Sequence, residues 1–160
     1  MTGKNSWTIA AALPFAMALL GTSAPARAEK CSLAAAAGKY GFTLNGVAIT
    51  QAGAVPLAAV GKAILDAAGN VSGSEARSVG GAYADETLSG TYTVNADCTG
   101  TATVQFFEAG NLVRTSLLSL VFDNNLREIR MVQKSLTLPN NVVLPVVITV
   151  EARKMFTEED

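Results

Sequence analysis

Between Tyr40 and Lys154 the chain alternates eight β-prone runs with turn signals, and this repetition constrains the fold more than any other feature. The runs are Tyr40–Thr50, Ala58–Asp66, Val71–Val79, Glu86–Val94, Thr99–Glu108, Asn111–Phe122, Leu126–Leu136 and Val142–Lys154. Most of the joins are too short for a helical crossover, so sequence neighbours should pair antiparallel. An even-numbered meander can close on itself and remove both of its exposed edges. The expected class is all-β, an antiparallel up-and-down barrel of eight strands. A short helical turn over Ser32–Gly38, rich in alanine and ended by glycine, should precede it.

Turn chemistry supports this division. Asp66–Asn70, Asn95–Asp97, Ala109–Asn111, Asp123–Asn125 and Pro139–Asn141 carry the Gly, Asn, Asp and Pro residues that tight turns need. Gln51–Pro56 is the longest expected excursion, and Gly80–Asp85 is expected to join the third and fourth runs. Leu88, Gly90, Tyr92 and Val94 alternate with Thr87, Ser89, Thr91 and Thr93, while Gly100, Ala102, Val104 and Phe106 alternate with Thr99, Thr101, Thr103 and Gln105. Each of these strands therefore has one apolar and one hydroxyl-rich face. Val142, Leu144, Val146, Ile148 and Val150 make a stronger apolar stripe, with an irregular point expected at Pro145. Runs six and seven carry apolar residues in both registers. Gly61, Gly73, Gly90 and Gly100 suit sharp bends at barrel corners.

The ends and the composition bound the setting. Lys4, the apolar stretch Trp7–Leu20 and the Ala26-Arg27-Ala28 sequence have the order of a signal peptide, so residues 1–28 are expected to be removed and 29–160 to form one barrel domain. Removal takes two of the 12 Lys and Arg and none of the 13 Asp and Glu, leaving a mildly acidic chain without a basic run. Nucleic acid and anionic lipid are thus poor partners. Insertion into a membrane as an outer-membrane barrel would need an apolar outer face, where this sequence has Thr, Ser, Lys and Gln. Cys31 and Cys98 are the only cysteines, and in an oxidising compartment they are expected to form a structural disulfide. Closing a loop of that length constrains the unfolded chain by ~4 kcal/mol. A secreted or periplasmic location follows from the same reading.

The segment from Leu88 to Thr101, with Gly90, Tyr92, Val94, Asp97, Cys98 and Gly100 in an L-x-G-x-Y-x-V-x-x-D-C-x-G pattern, resembles small secreted bacterial proteins of uncharacterised function. Ala59-Val60-Gly61 and the stretch Leu65–Gly73 resemble their preceding hairpin. Such proteins are similar to lipocalin-like (calycin-like) and allene-oxide-cyclase-like barrels, which implies eight strands around a small cavity. Gly38-Lys39-Tyr40 also resembles the lipocalin G-x-W start. That resemblance implies that Arg153 packs over the ring at position 40.

The chain has no histidine, which removes Ser-His-Asp and Cys-His catalysis and every histidine-ligated metal site. No cofactor and no metal are expected. Asn70-Val71-Ser72 matches a glycosylation sequon and is read as turn chemistry, and the repeated T-x-T spacing as strand propensity. What remains is carboxylate, arginine and aromatic chemistry. Glu75 and Arg77 share a face with Val71, Gly73 and Val79; turned inward they would orient a ligand, turned outward they would form a solvated face, the commoner arrangement for charged side chains. Arg114 shares a face with Leu112, Leu118, Leu120 and Phe122, and either enters the interior or snorkels to water. Tyr92 and Phe106 should line the interior. The candidate ligand-binding set is therefore Glu75, Arg77, Tyr92, Phe106 and Arg114, with no catalytic residue assigned. The leading functional expectation is a secreted barrel that binds a small apolar ligand. A cyclase or isomerase similar to allene oxide cyclase, anchored by Glu75 or Arg114, and an interaction protein with a solid core, including a homo-oligomer, stay open as alternatives.

Overall fold

The computed structural model describes residues 31–155, together with Gly3. The expected signal peptide and the terminal Thr157–Asp160 otherwise lie outside the described residues. One helical turn, α1 (Leu33–Ala36), is capped by Ser32, whose hydroxyl accepts from the Ala35 amide. The strands follow as β1 (Gly38–Thr50), β2 (Gly53–Leu65), β3 (Asn70–Val79), β4 (Ala82–Tyr92), β5 (Thr99–Glu108), β6 (Asn111–Asp123), β7 (Glu128–Thr137), β8 (Val143–Leu144) and β9 (Val146–Lys154).

Sequence neighbours pair antiparallel from β1 through β7, β9 pairs with both β7 and β1, and the ring is thereby closed. The fold is the expected eight-stranded up-and-down barrel. Its eighth stave is split into β8 and β9 at Pro145, which has no amide to give, though its carbonyl still accepts from the Ile49 amide at 2.8 Å. Even-numbered residues of β1, β4, β5 and β9 and odd-numbered residues of β2 and β3 face inward, and Phe42, Leu88, Val104, Leu120, Ile129 and Ile148 are buried there. Thr91, Thr93, Thr101 and Thr103 are exposed on the outer face.

Two joins are tighter than the sequence suggests. The β1–β2 hairpin pairs as far as Thr50 with Gly53, so the excursion over Gln51–Pro56 is a two-residue turn and Pro56 lies within β2. The β3–β4 hairpin turns at Gly80-Gly81, both in the left-handed region (φ 56° and 90°), and β4 starts at Ala82 in place of Glu86. The sequence placed too much weight on proline and acidic residues there; pairing with the partner strand outweighs both. The seventh run also starts later than expected, at Glu128, because Asn124, Asn125 and Leu126 all adopt positive φ in the turn. Val142 falls outside any strand and is exposed.

Bulges resolve the ambiguous strands. Between β5 and β6 the register passes from Phe106–Arg114 to Phe107–Leu112 and skips Val113. Val113 therefore turns to the barrel mouth in place of Leu112, which leaves the inner face the sequence assigned it. Between β6 and β7 the register skips Lys134, so both Gln133 and Leu136 are buried. At Gly73, Gly90 and Gly100 an added Cβ would strike the carbonyl of Lys62, Thr103 or Thr93 on the adjoining strand. These strands approach too closely there for any side chain, as a tightly curved sheet requires.

Candidate functional site

The interior is divided along the barrel axis into two adjoining chambers. The inner one, about 80 Å³, is almost wholly apolar, with Phe42, Leu65, Val71, Leu88, Val104 and Ile129 in its wall. The outer one, about 190 Å³, is bounded by Ala48, Leu57, Leu138 and Leu144 and by the charged Arg77, Glu86 and Arg114. Leu44, Glu75 and Gln133 belong to both walls and form the partition.

The N-terminal segment packs against the inner-chamber end of the barrel. The Tyr40 hydroxyl shares its proton between the carbonyls of Ala36 and Leu126, each 2.8 Å away, and ties α1 to the β6–β7 turn. Tyr92 donates to the Asp66 carbonyl at 2.6 Å and lies 3.3 Å from that of Leu33. Burial, with a smaller contribution from Tyr92, pushes the Tyr40 phenol up to about 12. The Cys31–Cys98 disulfide spans 5.1 Å between Cα atoms and ties the segment before α1 to the β4–β5 turn. The cation over the Tyr40 ring is Lys154, with Nζ 5.8 Å from the centroid, whereas Arg153 points outward to Glu128. The lipocalin resemblance misplaced this contact by one residue. Strand alternation sends position 153 to solvent and leaves position 154, at the strand end, to fold back.

The partition and outer chamber hold a charged network contributed by four strands. Glu75 and Arg77 come from β3, Glu86 from β4, Glu108 from β5 and Arg114 from β6. Arg114 donates through Nη1 to Glu86 Oε2, and through Nη2 to Glu75 Oε1 at 2.6 Å. Arg77 donates through Nε to Glu86 Oε1, and through Nη2 to Glu108 Oε2 at 3.0 Å. The Arg114 guanidinium also stacks on Phe106, 3.8 Å from the ring centroid. Glu75 and Glu86 are buried, and Glu75 Oε2 has no hydrogen-bond partner. Gln133 donates to Ser116 Oγ and to the Ser135 carbonyl, each at 3.0 Å, so its amide nitrogen is satisfied within the protein.

Local electrostatics follow from burial. Desolvation raises the Glu75 carboxyl above the usual carboxylate range; the Arg114 guanidinium opposes this and is outweighed. For Arg77, burial disfavours the charge, but the bonds to Glu86 and Glu108 exceed that effect and hold it above the ordinary arginine value. Glu86 receives one arginine on each oxygen, the arrangement that best repays taking a carboxylate out of water.

All five residues selected from the sequence line the interior, but they occupy different places. Glu75, Arg77 and Arg114 form one cluster with the unforeseen Glu86 and Glu108. Phe106 supports Arg114 from the inner chamber, and Tyr92 lies at the inner-chamber end. Glu86 was legible in principle, since the inward alternation of Tyr92, Gly90 and Leu88 reaches it two residues earlier. Gln133 was not, because a bulge sets its direction. Among the described residues no cluster of His, Cys, Asp and Glu could hold a metal ion.

No protein-family model matches the sequence, and no curated protein does. Two solved structures are similar to it. A redesigned β-barrel, mFAP1, bound to DFHBI, is 14% identical with a TM-score of 0.49 over 76% of this chain and 99% of its own. EF1p2_mFAP2b bound to DFHBI is 10% identical with a TM-score of 0.53, over 77% of this chain and 98% of its own. The likeness to EF1p2_mFAP2b is one of fold, and it agrees with the closed barrel that the strand pairing draws.

Proposed function

We propose that the protein is an exported carrier that holds one small, mostly apolar molecule inside its barrel, with no catalytic step. The observation that carries this reading is the pair of adjoining chambers, one almost wholly apolar and one bordered by charged side chains, with the buried Glu75 in the wall they share. An interior evolved only for stability would be filled with side chains to the density of an organic crystal. Together the chambers fall just short of roughly 300 Å³, the lower end of ordinary ligand pockets. The ligand is therefore small, a short chain or a single ring system. The similar barrel EF1p2_mFAP2b is bound to DFHBI, which supports binding inside a barrel of this kind.

Export is part of the same proposal. Residues 1–28 have the order of a cleaved leader, and the Cys31–Cys98 disulfide suits an oxidising compartment outside the cytosol. Native mass spectrometry of the protein purified from its own source tests both parts. The expected spectrum shows a chain lacking residues 1–28, with one non-covalent small molecule that leaves on denaturation. A bare chain that also fails to bind an environment-sensitive apolar dye would overturn the carrier reading.

A further inference from the structure

Two arginines inside a barrel suggest an acidic ligand, and the geometry argues the reverse. Both guanidiniums are already engaged. Arg114 directs Nη1 to Glu86 and Nη2 to Glu75 and covers one face with Phe106, while Arg77 directs Nε to Glu86 and Nη2 to Glu108. Glu86 accepts on both oxygens. Glu75 accepts only on Oε1, and its Oε2 is buried without a partner in the wall shared by the two chambers. The buried free valence of this cluster is an acceptor.

The charge balance points the same way. The cluster holds three carboxylates (Glu75, Glu86, Glu108) against two guanidiniums (Arg77, Arg114). The outer-chamber wall from β1, β2, β7 and β9 adds only uncharged residues, such as Leu44, Ala59, Gln133 and Ile148. A carboxylate-headed ligand would add to the negative excess beside the unpartnered Glu75 oxygen. An ammonium would cancel the excess and supply the missing donor.

We propose that the carried molecule is an aliphatic amine, whose ammonium donates to Glu75 Oε2 while its apolar part occupies the inner chamber. This inference rests on the carrier reading above and specifies its ligand class. A six-carbon chain is a suitable probe, because each methylene it buries adds about 0.8 kcal/mol.

The test is isothermal titration calorimetry of the disulfide-bonded protein at neutral pH with hexylamine, hexanol and hexanoate. The expected order is hexylamine, then hexanol, then hexanoate, with about tenfold or more between the first and last, as a charge-assisted bond warrants. In Glu75→Gln the lead of hexylamine over hexanol should vanish. Hexanoate binding as tightly as hexylamine to the unmodified protein would overturn the amine assignment whether or not the variant folds. So would an amine preference that survives in a folded Glu75→Gln. Failure of all three probes, hexanol included, would instead overturn the carrier reading itself, since the neutral probe needs only the apolar chamber.

Discussion

The two ends of this barrel are held by different physics. At the inner-chamber end, neutral phenols give protons to backbone carbonyls, a disulfide anchors the N-terminal segment, and the wall is hydrocarbon. At the other end, five charged side chains from four strands pair around Glu86. The first arrangement can seal, because every polar group ends on a partner within the protein. The second leaves one acceptor unsatisfied on Glu75 and two unlike chambers in contact across it. The satisfied polar groups and the unsatisfied one thus lie at opposite ends of one continuous sheet.

The largest expected effect is at the inner-chamber end. Replacing Cys31→Ser together with Cys98→Ser releases a 67-residue loop in the unfolded chain and should cost about 3–4 kcal/mol in urea unfolding. A loss confined to a few tenths would mean that the N-terminal cap is held by its tyrosines alone. Next, Glu86→Gln strips the shared carboxylate from two largely buried arginines and should cost roughly 3 kcal/mol. Because Glu86 itself is buried, raising the salt concentration should change that loss little. A strongly salt-dependent loss would show that this end is far wetter than its geometry implies.

Tyr40→Phe is expected to have the smallest effect, about 1–2 kcal/mol, from two carbonyls left without their shared donor. Its pH dependence separates the ends. An unfolded tyrosine ionises near 10, whereas the folded phenol holds its proton to about 12, so its stabilisation is present below pH 10 and is lost as pH rises toward 12. Denaturant midpoints taken across that window should fall in the unmodified protein and fall less in Tyr40→Phe. Equal slopes would remove the hydroxyl from the seal.

How much of this was legible varied by strand. β5 matched its expected bounds, Thr99–Glu108, and its inward face is the alternation of Ala102, Val104 and Phe106 written in the sequence. β6 and β7 were opaque because the bulges at Val113 and Lys134 break the period-2 rule, and a bulge depends on how the neighbouring strand is paired. Glu86 was the first residue of its expected run and lay on the inward alternation, and only the extension of the strand past it to Ala82, through the tight hairpin at Gly80-Gly81, was not legible. The cation over Tyr40 was assigned one residue away from Lys154, which folds back at a strand end.

By itself, the sequence determined the eight-strand meander, the glycines at close strand approaches, the disulfide partners, and the inward alternation of most strands. These are local properties, set by turn chemistry, side-chain period and the presence of two cysteines alone. Only the tertiary structure decided that Glu75, Arg77 and Arg114 meet, that Glu86 joins them, and that one oxygen of Glu75 is left over. Residues 75, 86 and 114 belong to three different strands, and closure and register bring them together. Charge balance inside a barrel is a property of that closure, because water screens the same residues apart in the unfolded chain and a low-dielectric interior makes them answer to one another.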